Sequence, residues 1–283
     1  MRLKQRLQQD EILIAPGVFD LISAKVADSA GCEALYMTGY GVVASYLGLP
    51  DAGLATYTDM VDRVGRIAHG ISAPLIADGD TGYGGLLNVQ HTVRGYEAAG
   101  AAAIQLEDQE FPKKCGHVEG RRVIPTEDMV DKVKVAAESR DSGDFLIVAR
   151  TDARTVHGLD EALRRVEAYA QAGADVLFVE SPESEEEMCT ICERFDLPLL
   201  ANMVEGGRTP VLARDVLQEI GFSIALFPAS GFLSAAAALR KTYETLGTNG
   251  STAGQPLDLY PFEDFSRLMG FEDVWAFEKA HGR

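Results

Sequence analysis

One pattern recurs four times along the chain: a glycine, a short run of apolar residues, and a polar residue or proline seven positions after the glycine. The glycines are Gly31, Gly100, Gly173 and Gly221, and the runs end at Thr38, Glu107, Glu180 and Pro228. Glycine readily adopts the left-handed conformation that often closes a helix, and a short continuous apolar run is typical of a strand buried on both faces. Before Gly173, apolar residues recur at helical spacing from Leu159 to Ala170, and Asp160 is placed to cap that helix. The repeating unit is therefore a helix, a glycine, a buried strand and a loop.

Eight apolar runs of this kind are separated by helical patterns. They span residues 12–18, 34–38, 75–80, 103–108, 145–152, 176–180, 199–203 and 223–227. Such alternation predicts an α/β fold, a parallel (β/α)₈ TIM barrel. A doubly wound open sheet is the alternative, but no glycine-rich dinucleotide fingerprint follows the first strand. We expect a single domain over residues 1–283, with the barrel at about 10–240 and a C-terminal helical extension at about 241–283 that includes a helical segment at 264–279.

Composition and charge narrow the class of protein. Apolar residues make up 46% and charged residues 24%, the balance of a soluble globular protein, and the net charge of −17 disfavours nucleic acid and anionic membranes as partners. The N-terminal segment lacks the apolar core of a secretory signal. The uncharged stretch 220–239 contains glycine, proline and serine, so it is interpreted as a strand, a turn and a helix start. We expect a cytoplasmic protein whose four cysteines stay reduced, with Cys189 and Cys192 structural.

Polar side chains gather where the apolar runs end. They are Thr38, Asp78, Asp80, Glu107, Asp108, Arg150, Asp152, Glu180 and Asn202. The active sites of barrels lie at the carboxyl ends of the strands. Ionisable groups at the mouth of an apolar core cost free energy unless they have partners. The pattern therefore predicts a functional site at this end of the barrel.

The sharpest local motif is DGDTGYGG at residues 78–85, with two carboxylates two positions apart. Hard oxygen ligands suit Mg²⁺, with Mn²⁺ possible, and these ions usually keep several waters. Asp51 and Glu107 are candidates to complete the shell beside Asp78 and Asp80, partly through water. An acidic surface turn is the alternative, which the apolar residues before Asp78 disfavour.

A second motif, KKCGH, lies in the long connection 109–125 after the fourth strand. Cys115 is flanked by Lys113, Lys114 and His117, and this positive surrounding favours the thiolate and proton exchange. Gly116 indicates a bend, and the connection is long enough to be a lid. The alternative is an exposed basic loop with an incidental cysteine.

Arg150 ends an apolar strand. Its planar guanidinium is suited to bind a substrate carboxylate through two hydrogen bonds. An ion pair with Glu180 or Asp152 is the alternative.

Together these segments resemble the isocitrate lyase and phosphoenolpyruvate mutase superfamily. The matching segments are GLPD at 48–51, DGDTGYG at 78–84, LEDQ at 106–109, KKCGH at 113–117 and VARTDA at 148–153, between PGVFDLISA at 16–24 and FPASGF at 227–232. The resemblance covers most of the chain. It implies a barrel whose terminal helix is exchanged between subunits, commonly in a homotetramer, and one Mg²⁺ near Asp78 and Asp80 with Asp51 and Glu107 in the outer shell.

The KKCGH element is similar to that of the carbon–carbon bond lyases, whereas the phosphonate-forming mutases lack its cysteine. The resemblance implies that Cys115 protonates the carbanion left after bond cleavage. Lys113 and His117 would support this acid, and the amides of Gly116 and His117 would hold a carboxylate.

The resemblance also narrows the substrate. Methylisocitrate lyases carry an arginine for the distal carboxylate where this chain has Leu233, and oxaloacetate acetylhydrolases carry a serine where it has Pro228. The remaining match is to the branch with 2,3-dimethylmalate lyase and the petal death protein. It implies a Mg²⁺-dependent lyase that cleaves a 2-hydroxy dicarboxylate, such as a 2-alkylmalate, to an α-keto acid such as pyruvate and a carboxylic acid.

The remaining roles complete the predicted mechanism. Tyr36 is the expected base, aided by Arg150. The substrate is expected to contact Thr38, Gly39, Tyr40, Gly116, Arg150, Glu180, Asn202, Pro228 and Leu233. The alternatives are an oxaloacetate hydrolase or decarboxylase, a methylisocitrate lyase-like enzyme, a phosphonate mutase, and a non-catalytic barrel that binds a metabolite.

Overall fold

The computed structural model describes residues 2–116, 118 and 120–282. It divides into two compact units, Met1–Gly231 and Phe232–Arg283. The first unit contains eight parallel strands: β1 (Leu13–Val18), β2 (Leu35–Met37), β3 (Leu75–Asp78), β4 (Ala103–Glu107), β5 (Leu146–Thr151), β6 (Val176–Val179), β7 (Leu200–Asn202) and β8 (Ile224–Phe227). Each lies within two residues of its predicted bounds.

The strands pair in the order β6-β5-β4-β3-β2-β1-β8-β7, and every pairing is parallel. An isolated parallel bridge between Leu177 and Leu199 joins β6 to β7, so the sheet nearly closes on itself. The predicted (β/α)₈ barrel is therefore confirmed, and the doubly wound open sheet is wrong.

Helices follow the strands around the barrel. They are α1 (Leu3–Arg6), α2 (Leu21–Ser29), α3 (Gly39–Leu47), α4 (Tyr57–His69), α5 (Leu86–Ala98), α6 (Thr126–Ser139), α7 (Ala153–His157), α8 (Leu159–Gln171), α9 (Glu185–Arg194) and α10 (Arg214–Ile220). The next helix, α11 (Ser230–Asn249), starts at the end of the first unit, and α12 (Phe262–Leu268) and α13 (Phe271–Ala280) belong to the second. The stretch 220–239 is the end of α10, β8 and the start of α11, as predicted; no helix in the described part of the chain has the length and apolar character to cross a membrane.

Glycines close the helices of the repeating unit, as the sequence predicts. Gly31, Gly100, Gly173 and Gly221 have φ of 81°, 98°, 108° and 112°, all in the left-handed region. The predicted cap at Asp160 is wrong, because Gly158 is the N-cap of α8 and Asp160 lies in its first turn. There its carboxylate interacts favourably with the positive end of the helix dipole. The predicted helical segment 264–279 is two helices, because Gly270 between them has a φ of 93°.

Side chains on the strands alternate between two apolar cores. Leu13, Ile76, Val148 and Phe178 belong to a cluster inside the barrel, and their sequence neighbours pack outward against the helices. The amino end of the barrel is closed by α1, whose Leu3 joins the interior cluster. The opposite, carboxyl end is where polar side chains replace the apolar ones.

Candidate functional site

The two-residue period of the strands explains which polar side chains meet at the carboxyl end. In six of the eight strands, β2 to β7, the inward positions are apolar towards the amino end and polar towards the carboxyl end. The inward sets are Tyr36 and Thr38, Ile76 and Asp78, Gln105 and Glu107, Val148, Arg150 and Asp152, Phe178 and Glu180, and Leu200 and Asn202. The barrel thus collects these polar side chains at one mouth.

Lys113 lies between two of the predicted metal carboxylates. Its Nζ is 2.5 Å from Asp51 Oδ1 and 2.7 Å from Asp80 Oδ1, and all three side chains are buried. Burial lowers the pKa of Lys113, but Asp80 and Asp51 more than offset this, so its pKa is raised well above the ordinary value. Burial raises the pKa of Asp80 to about 6 against the opposing effect of Lys113. The ammonium group is the positive charge that these two carboxylates share.

Asp78 is held by backbone and side-chain donors. Its Oδ2 accepts from the Gly39 amide at 3.2 Å, and its Oδ1 accepts from the Asp80 amide at 3.1 Å and from Gln105 Nε2 at 3.4 Å. A Cβ at residue 39 would lie 2.6 Å from Asp78 Oδ2, so glycine is required there. Gln105 Oε1 in turn accepts from the Tyr36 hydroxyl at 2.9 Å. One hydrogen-bonded chain therefore connects Tyr36 to Asp78.

The titration of Tyr36 bears on its predicted role as base. Burial, followed by the charge of Asp78, raises the pKa of Tyr36 well above its ordinary value. In the free chain the phenol is therefore protonated and donates its hydrogen bond. A general base must be deprotonated at the working pH, so the raised pKa of Tyr36 disfavours this role in the free chain.

Arg150 makes the ion pairs that the sequence left as an alternative, and it does so inside the site. Its Nε and Nη2 donate to Asp152 at 2.9 and 3.0 Å, and its Nη1 lies 3.3 Å from Glu180 Oε2. Its Nε is also 3.5 Å from Glu107 Oε2. The guanidinium is thus surrounded by three buried carboxylates, with the ring of Phe178 5.1 Å away.

The loop that carries Cys115 packs directly on this ion-pair cluster. A Cβ at Gly116 would lie 2.4 Å from Arg150 Nη2 and 2.8 Å from Glu180 Cδ. The Ser181 hydroxyl group lies within hydrogen-bond distance of two acceptors, which share its one proton. Its Oγ is 3.1 Å from Gly116 O and 3.0 Å from Glu180 Oε1. Asn202 Nδ2 donates to Glu180 Oε2 at 3.0 Å. Only glycine allows the loop to approach the Arg150 and Glu180 pair so closely.

Two further contacts fix the backbone on the other side of Cys115. The Cys115 amide donates to Asp51 O at 3.2 Å. Gln109 is buried, and its side chain donates to Lys114 O at 2.8 Å and accepts from the Lys114 amide at 3.0 Å. The half-buried thiol is therefore carried by a backbone segment tied to the residue whose carboxylate binds Lys113.

The other predicted substrate contacts are placed as follows. Thr38 is buried directly before α3, and Tyr40 is exposed on the first turn of that helix. Pro228 directly follows β8 and is half-buried, and its backbone leaves no room for a Cβ at Gly17. Leu233 lies on α11 within the second unit. His117 lies outside the described residues.

Three residues at this mouth are absent from the sequence-based predictions: Gln105, Arg121 and Ser181. Gln105 carries the inward signal, because it lies two positions before Glu107 on β4. The sequence predicts Asp152 as a strand-end carboxylate and, as an alternative, an ion-pair partner of Arg150, but assigns it no catalytic, substrate-binding or metal-binding role. Ser181 and Asp80 have φ of 60° and 47°, a backbone strain typical of functional sites that the sequence does not reveal.

The charges at the mouth do not balance. The buried carboxylates are Asp51, Asp78, Asp80, Glu107, Asp152 and Glu180, and the buried cations are Lys113, Arg121 and Arg150. Burial raises the pKa of Glu107 well above its ordinary value, and its Oε1 has no hydrogen-bond partner within the described part of the chain. Over residues 2–116, 118 and 120–282, the side chains as placed form no group of three or more metal-ligating residues. The donor chemistry and the excess of negative charge nevertheless fit a hard divalent cation.

Comparison with known proteins identifies the family. The family model described as phosphoenolpyruvate phosphomutase matches residues 3–246. The chain is 48% identical over 273 residues to 2,3-dimethylmalate lyase of Eubacterium barkeri, covering 96% of this chain and 94% of that protein. It is 41% identical to 2-methylisocitrate lyase of Aeropyrum pernix, covering 96% and 87%.

A solved structure is similar over nearly the whole chain. Oxaloacetate acetylhydrolase in complex with 3,3-difluorooxalacetate superimposes with a TM-score of 0.94 at 36% identity, covering 99% of this chain and 96% of that one. The curated relatives named above are both lyases. The chain therefore belongs to the isocitrate lyase and phosphoenolpyruvate mutase superfamily, and the predicted enzyme class, a carbon–carbon lyase of this superfamily, is confirmed.

Proposed function

We propose that this enzyme is a Mg²⁺-dependent lyase that cleaves a substituted malate, such as 2,3-dimethylmalate, to pyruvate and a carboxylic acid. The observation that carries the proposal is the attachment of the Cys115 backbone to Asp51, 3.2 Å from amide to carbonyl, beside the buried carboxylates and Lys113. The proposal thus assigns a proton donor and an anion-binding centre to the same mouth. The 48% identity to a 2,3-dimethylmalate lyase supports the same substrate class.

The donor set supports a divalent cation at this mouth. We assign Asp78 and Asp80 as the residues that hold Mg²⁺, with Mn²⁺ as the alternative ion, and Asp51 and Glu107 as contacts through water. When bound, the ion supplies a Lewis acid to the 2-hydroxyl and C1 carboxylate of the substrate. The Gly39 amide keeps Asp78 oriented, since it donates to Oδ2 at 3.2 Å.

The remaining polar residues orient the substrate. Arg150 binds a carboxylate, while Glu180 and Asn202 accept hydrogen bonds from substrate hydroxyl groups beside it. Asn202 Oδ1 supports this role because it is buried and has no hydrogen-bond partner among the described residues. The Gly116 amide adds a donor on the loop side. Thr38, Tyr40 and Pro228 border the room for the alkyl substituents, and the substrate contact at Leu233 stays a prediction.

The reaction breaks one carbon–carbon bond and transfers two protons. Loss of the 2-hydroxyl proton turns C2 into a carbonyl as the C2–C3 bond breaks, and the bond electrons remain on C3, where the adjacent carboxylate stabilises them. The Cys115 thiol then donates its proton to C3, with Lys113 and His117 in support. For Tyr36 to take the hydroxyl proton, its pKa must fall far below its value in the free chain.

The test is a comparison of two cysteine variants in the presence of Mg²⁺ and a panel of 2-alkylmalates. Cys115→Ser is expected to lower kcat by about 10²–10⁴-fold, the usual worth of a positioned general acid. Cys189→Ser is the matched control, because this thiol is also half-buried but lies on α9. Undiminished pyruvate release by Cys115→Ser would refute the assigned role.

The same assay separates the rival activities. Acetate and oxalate from oxaloacetate would indicate a hydrolase, and pyruvate with carbon dioxide would indicate a decarboxylase. Binding without turnover across the whole acid panel would indicate a non-catalytic barrel. The exchange of the terminal helix, the homotetramer and the cytoplasmic location stay predictions.

A further inference from the structure

Arg121 is a buried cation at the far end of the loop that carries Cys115. Its side chain is 3% exposed, and its Nη1 donates to Oδ1 of Asp152, which is fully buried. The neighbouring residue, Arg122, has a side chain that is 72% exposed and pairs with Glu110 at the surface. Burying a guanidinium is costly unless it meets a well-placed carboxylate, so the contact with Asp152 determines where this part of the loop lies.

Asp152 is shared between two arginines. Its Oδ1 accepts from Arg121 and also from Arg150 Nη2 at 3.0 Å, while its Oδ2 accepts from Arg150 Nε at 2.9 Å. One carboxylate therefore faces two guanidinium groups. Because Asp152 also pairs with Arg121, Arg121 offsets part of the negative charge that Asp152, together with Glu107 and Glu180, places around Arg150.

A second buried residue, Asp108, holds both the end of β5 and the end of the loop. Asp108 Oδ1 accepts from the Asp152 amide at 2.8 Å, and the Asp108 backbone carbonyl accepts from the Ile124 amide at 2.9 Å. Arg165 on α8 donates to Asp108 Oδ2 at 3.1 Å and to Ile124 O at 2.8 Å. The strand end and the return of the loop are thus fastened to the same buried group.

From this arrangement we infer that Arg121 is a positioning residue, which acts through Asp152 on the orientation and charge of Arg150 towards the substrate carboxylate. The inference rests on the proposed function, in which Arg150 binds that carboxylate. Without Arg121, Asp152 pairs with Arg150 alone, so the guanidinium offers less positive charge and its hydrogen-bonded orientation relaxes. The activity lost on removal of the Arg121 side chain should therefore appear mainly as weaker substrate binding.

The experiment compares Arg121→Ala with Arg122→Ala, the same change one residue away at the surface. Arg121→Ala is expected to lower kcat/KM for the 2-alkylmalate by about 10- to 100-fold, chiefly through KM, as befits one charge-assisted hydrogen bond. Arg122→Ala should stay within about twofold of wild type. Added guanidinium at millimolar concentration should restore part of the activity of Arg121→Ala, which a loss of folding would not allow.

A double-mutant cycle tests the route of the effect. If Arg121 acts through Arg150, the effects of Arg121→Ala and Arg150→Lys on kcat/KM are not additive. Additive effects, or equal activities of Arg121→Ala and Arg122→Ala, would overturn the inference. Should Arg121→Ala fail to fold, Arg121→Lys decides: a raised KM supports the inference, and wild-type kinetics contradict it.

Failure of the proposed function is recognised separately. If the wild type releases no α-keto acid from any 2-alkylmalate, the lyase proposal is refuted, and the inference is then tested by calorimetry with oxalate and Mg²⁺. Weaker oxalate binding by Arg121→Ala than by Arg122→Ala supports it. Equal dissociation constants contradict it.

Discussion

Replacing Gly116 by alanine tests how closely the loop and the ion-pair cluster depend on each other. The new methyl group would lie 2.4 Å from Arg150 Nη2 and 2.8 Å from Glu180 Cδ, distances that real side chains do not tolerate. Either Arg150 moves away from Asp152, or the loop moves and loses the Ser181 hydrogen bond to Gly116 O, which is 3.1 Å long. Both responses disturb the site, and the barrel itself is untouched.

The size of the effect follows from the contact that is lost. A hydrogen bond between charged groups contributes about 1.5–3 kcal/mol, and an extra methyl group in a packed site costs about 1–3 kcal/mol. Both free energies describe the same displacement, so only one of them enters the expected effect. At about 1.4 kcal/mol for each factor of ten, Gly116→Ala should lower kcat/KM by about 10- to 100-fold.

The assay is steady-state pyruvate release by wild type, Gly116→Ala and the control Gly143→Ala. Gly143 has an ordinary negative φ and open space around its position, so alanine is accommodated there. The melting temperatures of all three proteins should agree within a few degrees. Wild-type kcat/KM in Gly116→Ala would refute the close packing of the loop against Arg150.

Three other experiments test separate parts of the structure. Gln109→Leu should lower kcat by about tenfold or more in the pyruvate assay, because it leaves two backbone groups of Lys114 without their partner; unchanged kcat would contradict that role. Burial raises the pKa of Cys192 to about 12, so at pH 8 only about one thiol in ten thousand is ionised, and mass spectrometry after brief alkylation should find Cys192 unmodified. Arg6→Ala should lower the free energy of unfolding by about 2 kcal/mol in urea titrations, because the buried guanidinium binds the carbonyl groups of residues 11 and 12, whereas the surface variant Arg214→Ala should change it by less than about 0.5 kcal/mol.

The architecture was predictable because its signals are local. The left-handed glycine and the continuous apolar run lie within a few residues of each other, so Gly173 and the strand after it were found without any long-range contact. The mouth of the barrel was found for the same reason, since Glu107 and Glu180 mark strand ends. The cap of α8 was misassigned to Asp160 because Gly158 closes the preceding helix and starts the next one without a side chain.

The detailed site was less predictable because it depends on the path of one long connection. Lys113 reaches Asp51 and Asp80 only because the loop is folded by contacts such as the one between Gln109 and Lys114. Arg121 and Arg122 are adjacent and chemically identical, and only the tertiary structure shows that one is buried and the other exposed. The contacts of Lys113 with Asp51 and of Arg121 with Asp152 join residues distant in sequence, and no periodicity encodes them.

The central claim is tested most directly by mixing the purified protein with 2,3-dimethylmalate and Mg²⁺ and measuring both products. We predict equimolar pyruvate and a carboxylic acid, formation of which stops when a chelator removes the ion and resumes when Mg²⁺ is restored. Absence of the corresponding α-keto acid from this substrate and from every other 2-alkylmalate would contradict the account, as would turnover that is indifferent to the chelator.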